Sequence, residues 1–193
     1  GQGADTAFAQ MVSETLGVAY ENIHVISTQD TDITPWDPGA YASRQTYTCA
    51  PAVHAVADEL RRKLLGYAAE MTGHTPAALT IAPTAQGDAV VFVRNAESVV
   101  VTLHDLAMDS FYNKDRGGQL SAEASFKTRQ NPPSFGGCFA EVEVDIELCK
   151  VRISHILNVH DAGVIINPAL ATAQVHGGMG MGIGWALYEE LLV

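Results

Sequence analysis

The stretch FAEVEVDIELCKVRISHILNV, residues 139–159, decides how the rest of the chain is read. From Phe139 to Glu147 apolar and acidic side chains alternate, the period of a strand with one face turned to water. Lys150 to Val159 is a second strand-like run, and a turn near Cys149–Lys150 pairs the two as a hairpin. Glu141, Glu143, Asp145 and Glu147 then share one face, regular enough to be solvent-facing. After Asn167-Pro168 the pattern changes to a helix over Leu170 to Leu192, which carries the glycine run Gly177–Gly184.

Upstream, helices and strands are mixed without a βαβ repeat. Phe8, Met11, Val12 and Leu16 recur at helical spacing, and Gly17 is placed to stop that helix. Asn22 to Ser27 alternates with β-branched residues and predicts a strand. Residues 28–43, rich in Thr, Asp, Pro and Gly, read as a long loop of the kind that often carries function. A long helix is predicted from about Gln45 to Met71. Val53, Val56, Ala57, Leu60, Leu64 and Leu65 form its apolar stripe, with Glu59, Arg61, Arg62 and Lys63 toward water. Pro51 fits only if the first turn begins just before it.

Thr80–Ala82 and Ala89–Val93 read as a strand pair joined through Gln86-Gly87-Asp88. Thr102 caps a short helix over Leu103–Phe111, with Asp105 three residues on. Residues 113–137 are polar, rich in Gly and Pro, and expected to be partly mobile. The fold class is therefore α+β, with mixed α/β layers, rather than a TIM barrel or a Rossmann sheet.

The chain of 193 residues has a net charge of −11, with 47% hydrophobic and 17% charged side chains, which is globular rather than disordered. Its acidic balance offers no electrostatic footprint for nucleic acid. No apolar run reaches the ~18 residues a membrane span needs, so no membrane partner is expected. Cys49, Cys138 and Cys149 are isolated and odd in number, which points away from a disulfide framework and toward a reducing, cytoplasmic setting. The chain begins Gly-Gln-Gly and stops inside an apolar helical pattern, the expectation for an excerpt of a longer chain or a split subunit.

Catalytic sets built from protein groups alone are missing from the sequence. The seven histidines are scattered without zinc-ligand spacing. No Walker-type phosphate loop or Gly-x-Ser-x-Gly elbow occurs. The glycine run Gly177–Gly184 neither follows a strand end in a βαβ unit nor has an acidic partner downstream, so close packing accounts for it better than dinucleotide binding.

Three polar residues at three helix starts stand out instead. Gln2 lies between two glycines ahead of the first helix. Ser43 is placed to cap the long helix, with Ala42 leaving room beside it and backbone N–H groups forming an anion cradle. Gln174 precedes His176-Gly177-Gly178. Each also has a bland reading as an ordinary helix start. Together they suit a large polar heterocyclic cofactor that brings the difficult chemistry with it.

Gly1-Gln2-Gly3, GAYASRQ (Gly39–Gln45), FAEVEVD (Phe139–Asp145) and HDAGVIINPALATAQVHGGMGMGIGWALYEE (His160–Glu190) resemble, in order, the molybdenum-binding part of the xanthine dehydrogenase and aldehyde oxidase family. The wording of GAYASRQ is similar to that of bacterial xanthine and nicotinate dehydrogenases. The resemblance implies that residues 1–193 are part of a molybdopterin-binding domain, with 1–75 and 76–193 as conceivable sub-units. It implies cofactor contacts by Gln2, Ala42, Ser43, Gln45 and Gln174, close approach at Gly177 and Gly178, and Tyr41 and Arg44 flanking the metal loop. No catalytic residue and no protein ligand to the metal is implied.

The implied cofactor is molybdopterin, in the cytosine dinucleotide form, with molybdenum held by the pterin dithiolene. The implied partners are the remainder of the molybdenum domain and iron–sulfur (2Fe-2S) and flavin (FAD) domains or subunits. The implied reaction is hydroxylation of an N-heterocycle, a purine such as xanthine, with water as oxygen source. Nicotinate or aldehyde oxidation, or a non-catalytic assembly module, are the alternatives. The family's catalytic glutamate sits in a Gly-Glu-Pro-type motif that these residues lack, so the chain alone is expected to be inactive. Glu189 and Glu190 read as exposed residues, not as replacements for that base.

Overall fold

A computed structural model describes the chain apart from residues 29, 86, 88, 97, 131 and 193. It forms two compact units, Ala4–Arg129 and Gly1–Gly3 with Gln130–Val193. This division differs from the 1–75 and 76–193 sub-units expected from sequence. The helix that ends at Thr72 and the strand that begins at Leu79 share one core, so the chain does not part between them.

In the first unit α1 (Ala4–Leu16) packs on α2 (Ala50–Thr72). Gly17 ends α1 at φ +78°, the left-handed conformation that glycine adopts without strain. Arg61, expected to face water, is partly buried instead. Its Nη1 donates to the carbonyls of Thr15 (3.0 Å) and Leu16 (2.9 Å), and its Nη2 to Thr80 Oγ1 (3.1 Å). A cation over the unpaired carbonyls at a helix C-terminus is favourable, which explains why it leaves solvent.

Asn22–Ser27 is not a strand. Tyr20–Asn22 is one 3-10 turn, and Val25 and Ile26 are exposed with no ladder partner among the described residues. β-branched alternation fits a strand only where a neighbour completes the sheet. The sheet lies further on, as three antiparallel strands in the order β1 (Leu79–Pro83), β2 (Ala89–Val93), β3 (Val99–Thr102). The third strand has only four residues, too few for alternation to mark it in the sequence. The turn predicted at Gln86–Asp88 falls partly outside the described residues.

Leu79 and Ile81 point inward from β1, where they meet Val91, Val101, Leu106 and the Tyr67–Ala69 end of α2. This is the core, and each fully buried leucine or valine in it is worth about 1.5–3 kcal/mol. Thr102 caps α3 (Leu103–Tyr112) as expected, its Oγ1 accepting from the Asp105 N–H at 3.0 Å.

Part of the segment expected to be mobile is tied down. Arg116 donates to both oxygens of Asp109 (2.9 and 3.0 Å), and the buried Tyr67 hydroxyl donates to the same carboxylate (2.7 Å). The Arg116 hydrogen bonds first, and that of Tyr67 second, hold the Asp109 carboxyl below its ordinary pKa.

The second unit is the hairpin β4 (Phe135–Asp145) and β5 (Lys150–Asp161), followed by α4 (Pro168–Leu187). The hairpin forms as alternation predicts, but β4 begins at Phe135, inside the segment expected to be mobile, and ends at Asp145, so that Glu147 lies in the turn. Asp145 stands opposite Lys150, and Cys149 is left-handed at φ 53°. The acidic face is exposed, and Glu143 pairs across it with Arg152 at 2.7 Å.

The other face is also exposed. Val142, Val144 and Val151 lie open, although alternation predicts that only the acidic face turns to water. Asn167 caps α4, its Oδ1 accepting from the Leu170 N–H at 3.1 Å. The helix ends at Leu187 rather than Leu192, because the N–H groups of Tyr188 and Glu189 both turn back to the carbonyl of Gly184. Among the described residues no helix is long and apolar enough to cross a membrane.

Candidate functional site

The sequence-predicted residues fall into two groups, one in each unit: Tyr41–Gln45 in the first, and Gln2, Gln174, Gly177 and Gly178 in the second.

The first group lies where the long loop meets α2. Ser43 was expected to cap that helix, but it does not. Ala42 and Ser43 are left-handed, at φ 50° and 55°, whereas a cap residue needs extended backbone. The helical path starts instead as a π-turn over Gln45–Cys49, entered from Arg44 with no side-chain cap, and becomes α-helical at Ala50. Pro51 has no N–H to give to the preceding turn, and a widened turn just before it accommodates that loss.

Two consecutive non-glycine residues in the left-handed region are costly, each on the order of 1–3 kcal/mol, and such strain concentrates at ligand clamps and active sites. Among the described residues, the backbone N–H groups of Ala42 and Ser43 and the Ser43 hydroxyl meet no acceptor, and all three groups belong to exposed residues. The Gln45 carboxamide oxygen accepts from Cys49 Sγ at 3.1 Å, which leaves its NH2 as a donor. Burial pushes the Cys49 thiol up, the Asp37 carboxylate adds to this, and Arg44 opposes it. The thiol is therefore a neutral donor to Gln45.

Arg44 is buried, only 9% exposed, and its guanidinium is engaged within the loop. Nη1 donates to both Asp37 oxygens (2.9 and 3.2 Å) and to the Gly39 carbonyl (2.9 Å). The guanidinium carbon sits 5.7 Å from the centre of the Tyr41 ring, so Tyr41 caps the arginine while remaining exposed. The Gly39 N–H first, and then Arg44, hold the Asp37 carboxyl below its ordinary value. Asp37 was not among the residues singled out in the sequence. Its signal was the Asp37-Pro38-Gly39 turn, which puts an acidic side chain back over the loop it begins.

In the second group, Gly3 is left-handed at φ +82°, and a side chain there would press into Leu170 in the first turn of α4. This close approach sets the exposed Gln2 beside the start of the helix that carries Gln174. Gln174, expected at a helix start, is instead exposed two turns into α4, because Asn167 caps the helix seven residues before it. Close packing predicted for the glycine run is not found at Gly177, Gly178, Gly180 or Gly182: nothing lies within 4 Å of where a Cβ would stand, so bare backbone faces open space.

α4 is apolar nearly all round, yet none of its residues is buried, and Met181 and Trp185 are largely exposed. A helix of that composition is ordinarily enclosed. Glu189 and Glu190 are exposed, as expected, with the Glu189 carboxylate lying against Gly184.

The first group offers a carboxamide, a hydroxyl and unpaired backbone N–H groups, and the second offers carboxamides and bare glycine backbone. Each is a donor set for a polar heterocycle rather than for a metal ion held by protein atoms. Among the described residues no three His, Cys, Asp or Glu side chains converge.

Residues 1–193 match the family described as the molybdopterin cofactor-binding domain. The putative xanthine dehydrogenase molybdenum-binding subunit XdhA of Escherichia coli K12 is 56% identical over 193 residues, covering 100% of this chain and 25% of that subunit. Among solved structures, quinoline 2-oxidoreductase from Pseudomonas putida 86 shares the fold, with a TM-score of 0.81 and 24% identity, covering 100% of this chain and 24% of that one. Reconstituted CO dehydrogenase from Oligotropha carboxidovorans gives a TM-score of 0.73 and 27% identity, covering 93% and 22%. The chain spans about a quarter of the length of these relatives. The resemblance carried by GAYASRQ and QVHGG, and the mixed helix-and-sheet fold, are borne out.

Proposed function

The chain belongs to the molybdopterin cofactor-binding domain family, and we propose that it forms one wall of the molybdenum site in an enzyme that hydroxylates an N-heterocycle. The substrate is a purine such as xanthine, and water is the oxygen source. The observation that carries this reading is the Ala42–Ser43 pair, two strained residues presenting unpaired N–H groups beside the Gln45 amide. Strain of that kind persists only where the surrounding structure holds it, and it clusters at ligand clamps and active sites.

When bound, the molybdenum cofactor supplies the redox chemistry. The residues of this chain bind and orient it. The carboxamides of Gln2, Gln45 and Gln174 and the Ser43 hydroxyl hydrogen-bond the pterin, in its cytosine dinucleotide form. Ala42 keeps the space beside the metal clear. Gly177 and Gly178 admit the flat ring system against the backbone of α4. Tyr41 and Arg44 shape the loop, and Arg44 acts through its grip on Asp37.

A purine fits the reading because the relative at 56% identity carries xanthine dehydrogenase in its name. The remainder of the molybdenum domain covers the exposed faces of α4 and of the hairpin, and iron–sulfur and flavin partners carry electrons away in the cytoplasm. No Gly-Glu-Pro motif occurs in the 193 residues, and the chain alone does not turn over substrate.

Gln174→Ala tests the reading. Each hydrogen bond lost to the pterin is expected to weaken its retention about 2- to 10-fold, read as molybdenum and released pterin per protein. Unchanged content at limiting cofactor would remove Gln174 from the site.

A further inference from the structure

We propose that Asp37 is a positioning residue for the cofactor loop: through Arg44 it holds residues 39–45 in the conformation that leaves the Ala42 and Ser43 N–H groups unpaired. This rests on the cofactor reading given above and adds to it a residue that touches no cofactor.

The geometry is a tether across the base of a loop. One nitrogen, Arg44 Nη1, meets three oxygens: both of Asp37 and the carbonyl of Gly39. Asp37 Oδ1 also accepts from the Gly39 N–H at 2.8 Å, so the same carboxylate fixes the entry of the loop and its exit. Between these anchors the Tyr41 N–H reaches the Gly39 carbonyl (3.2 Å) and the Arg44 N–H reaches the Tyr41 carbonyl (3.1 Å). The chain turns back within a few residues, and Ala42 and Ser43 take up the turn with left-handed backbone.

Neither residue adopts that conformation by preference. What keeps them there is the buried guanidinium, and what keeps the guanidinium buried is the carboxylate. An arginine removed from water without its counter-charge would leave for solvent, and the loop would relax with it. Asp37 itself is half exposed, so its loss removes the tether without opening the core.

The test uses the assembled enzyme that contains this chain, purified from a host that makes molybdopterin, with two readouts. One is amide hydrogen exchange over residues 39–44. The other is molybdenum and pterin per chain. In Asp37→Ala, exchange over 39–44 is expected to quicken about tenfold, the scale of a lost charge-assisted hydrogen bond. Cofactor content falls severalfold, while the slowest amides of β1–β3 keep their protection. Asp37→Asn, which retains the acceptor for Gly39 without the charge, is expected to fall between.

Adding Ala42→Gly to Asp37→Ala supplies the readout that a merely structural role would not move. Glycine enters the left-handed region freely, so the double variant regains part of the cofactor that Asp37→Ala loses. Unchanged exchange or unchanged cofactor in Asp37→Ala overturns the positioning role, as does a double variant no better than the single one. A wild-type protein devoid of molybdopterin overturns the underlying reading and this role with it. A loaded wild type with an equally loaded Asp37→Ala overturns the role alone.

Discussion

Replacing Leu79 by alanine is expected to destabilise the Ala4–Arg129 unit by about 2–5 kcal/mol, the range for removing a buried leucine from a packed core. Leu79 is fully buried at the start of β1, where it joins Tyr67, Ala68 and Ala69 of α2 to Val91 of β2 and Leu106 of α3. Strands on one side and helices on the other are held by the rest of the chain, so the cavity has little room to collapse. That places the cost toward the upper part of the range. The effect is read from hydrogen exchange of the slowest β1–β3 amides, which report the opening of this unit without interference from the other. A change below about 1 kcal/mol would mean that the core relaxes around the gap, and that Leu79 is not central to it.

A second large effect is expected at Gly17, where α1 gives way to the following turn. Alanine there would place a Cβ inside the backbone carbonyl of Ile81, on the buried middle of β1. Its φ of +78° is itself unfavourable for alanine. The left-handed backbone costs about 1–2 kcal/mol, and forcing the strand to shift adds about 1–3 kcal/mol. Arg61 stands beside the same point, donating to Thr15 and Leu16, so any retreat of the helix end also loosens those bonds. Gly17→Asn separates the two causes, because asparagine tolerates the backbone but not the contact. If the contact dominates, asparagine is no better than alanine. A near-neutral Gly17→Ala, read by the same exchange measurement, would contradict the packing described here.

How far such features were legible in the sequence depends on the distance over which each is decided. Thr102-x-x-Asp105, Gly17 after a helical stripe and the alternation over residues 139–159 are local signals, and each produced the expected element. Asn22–Ser27 has equally good alternation and no ladder. Strand formation needs a neighbour, and no short pattern announces whether one is present. Arg61 looked like a surface cation because its partners, the α1 carbonyls, lie some 45 residues away in sequence.

The candidate site divides in the same way. Its residue types were recognisable from GAYASRQ and QVHGG taken together, but not the conformation that makes the loop unusual. Serine before a helical pattern ordinarily caps, which is the role its position predicts for Ser43. The left-handed Ala42 and Ser43 lie in a loop that Arg44 closes on Asp37, a side-chain contact across seven positions that no propensity encodes. The exposed apolar faces of the second unit were also out of reach. A pattern says which face is apolar, not what covers it.

That these residues line a molybdenum–pterin site is open to direct test. The most direct measurement is the stoichiometry of molybdenum and of oxidised, released pterin in the assembled enzyme that contains this chain, purified from a host that makes the cofactor. About one of each per chain is expected, since the cofactor and not the protein carries the metal. Pterin and molybdenum both far below stoichiometric, in protein that is otherwise folded, would contradict it.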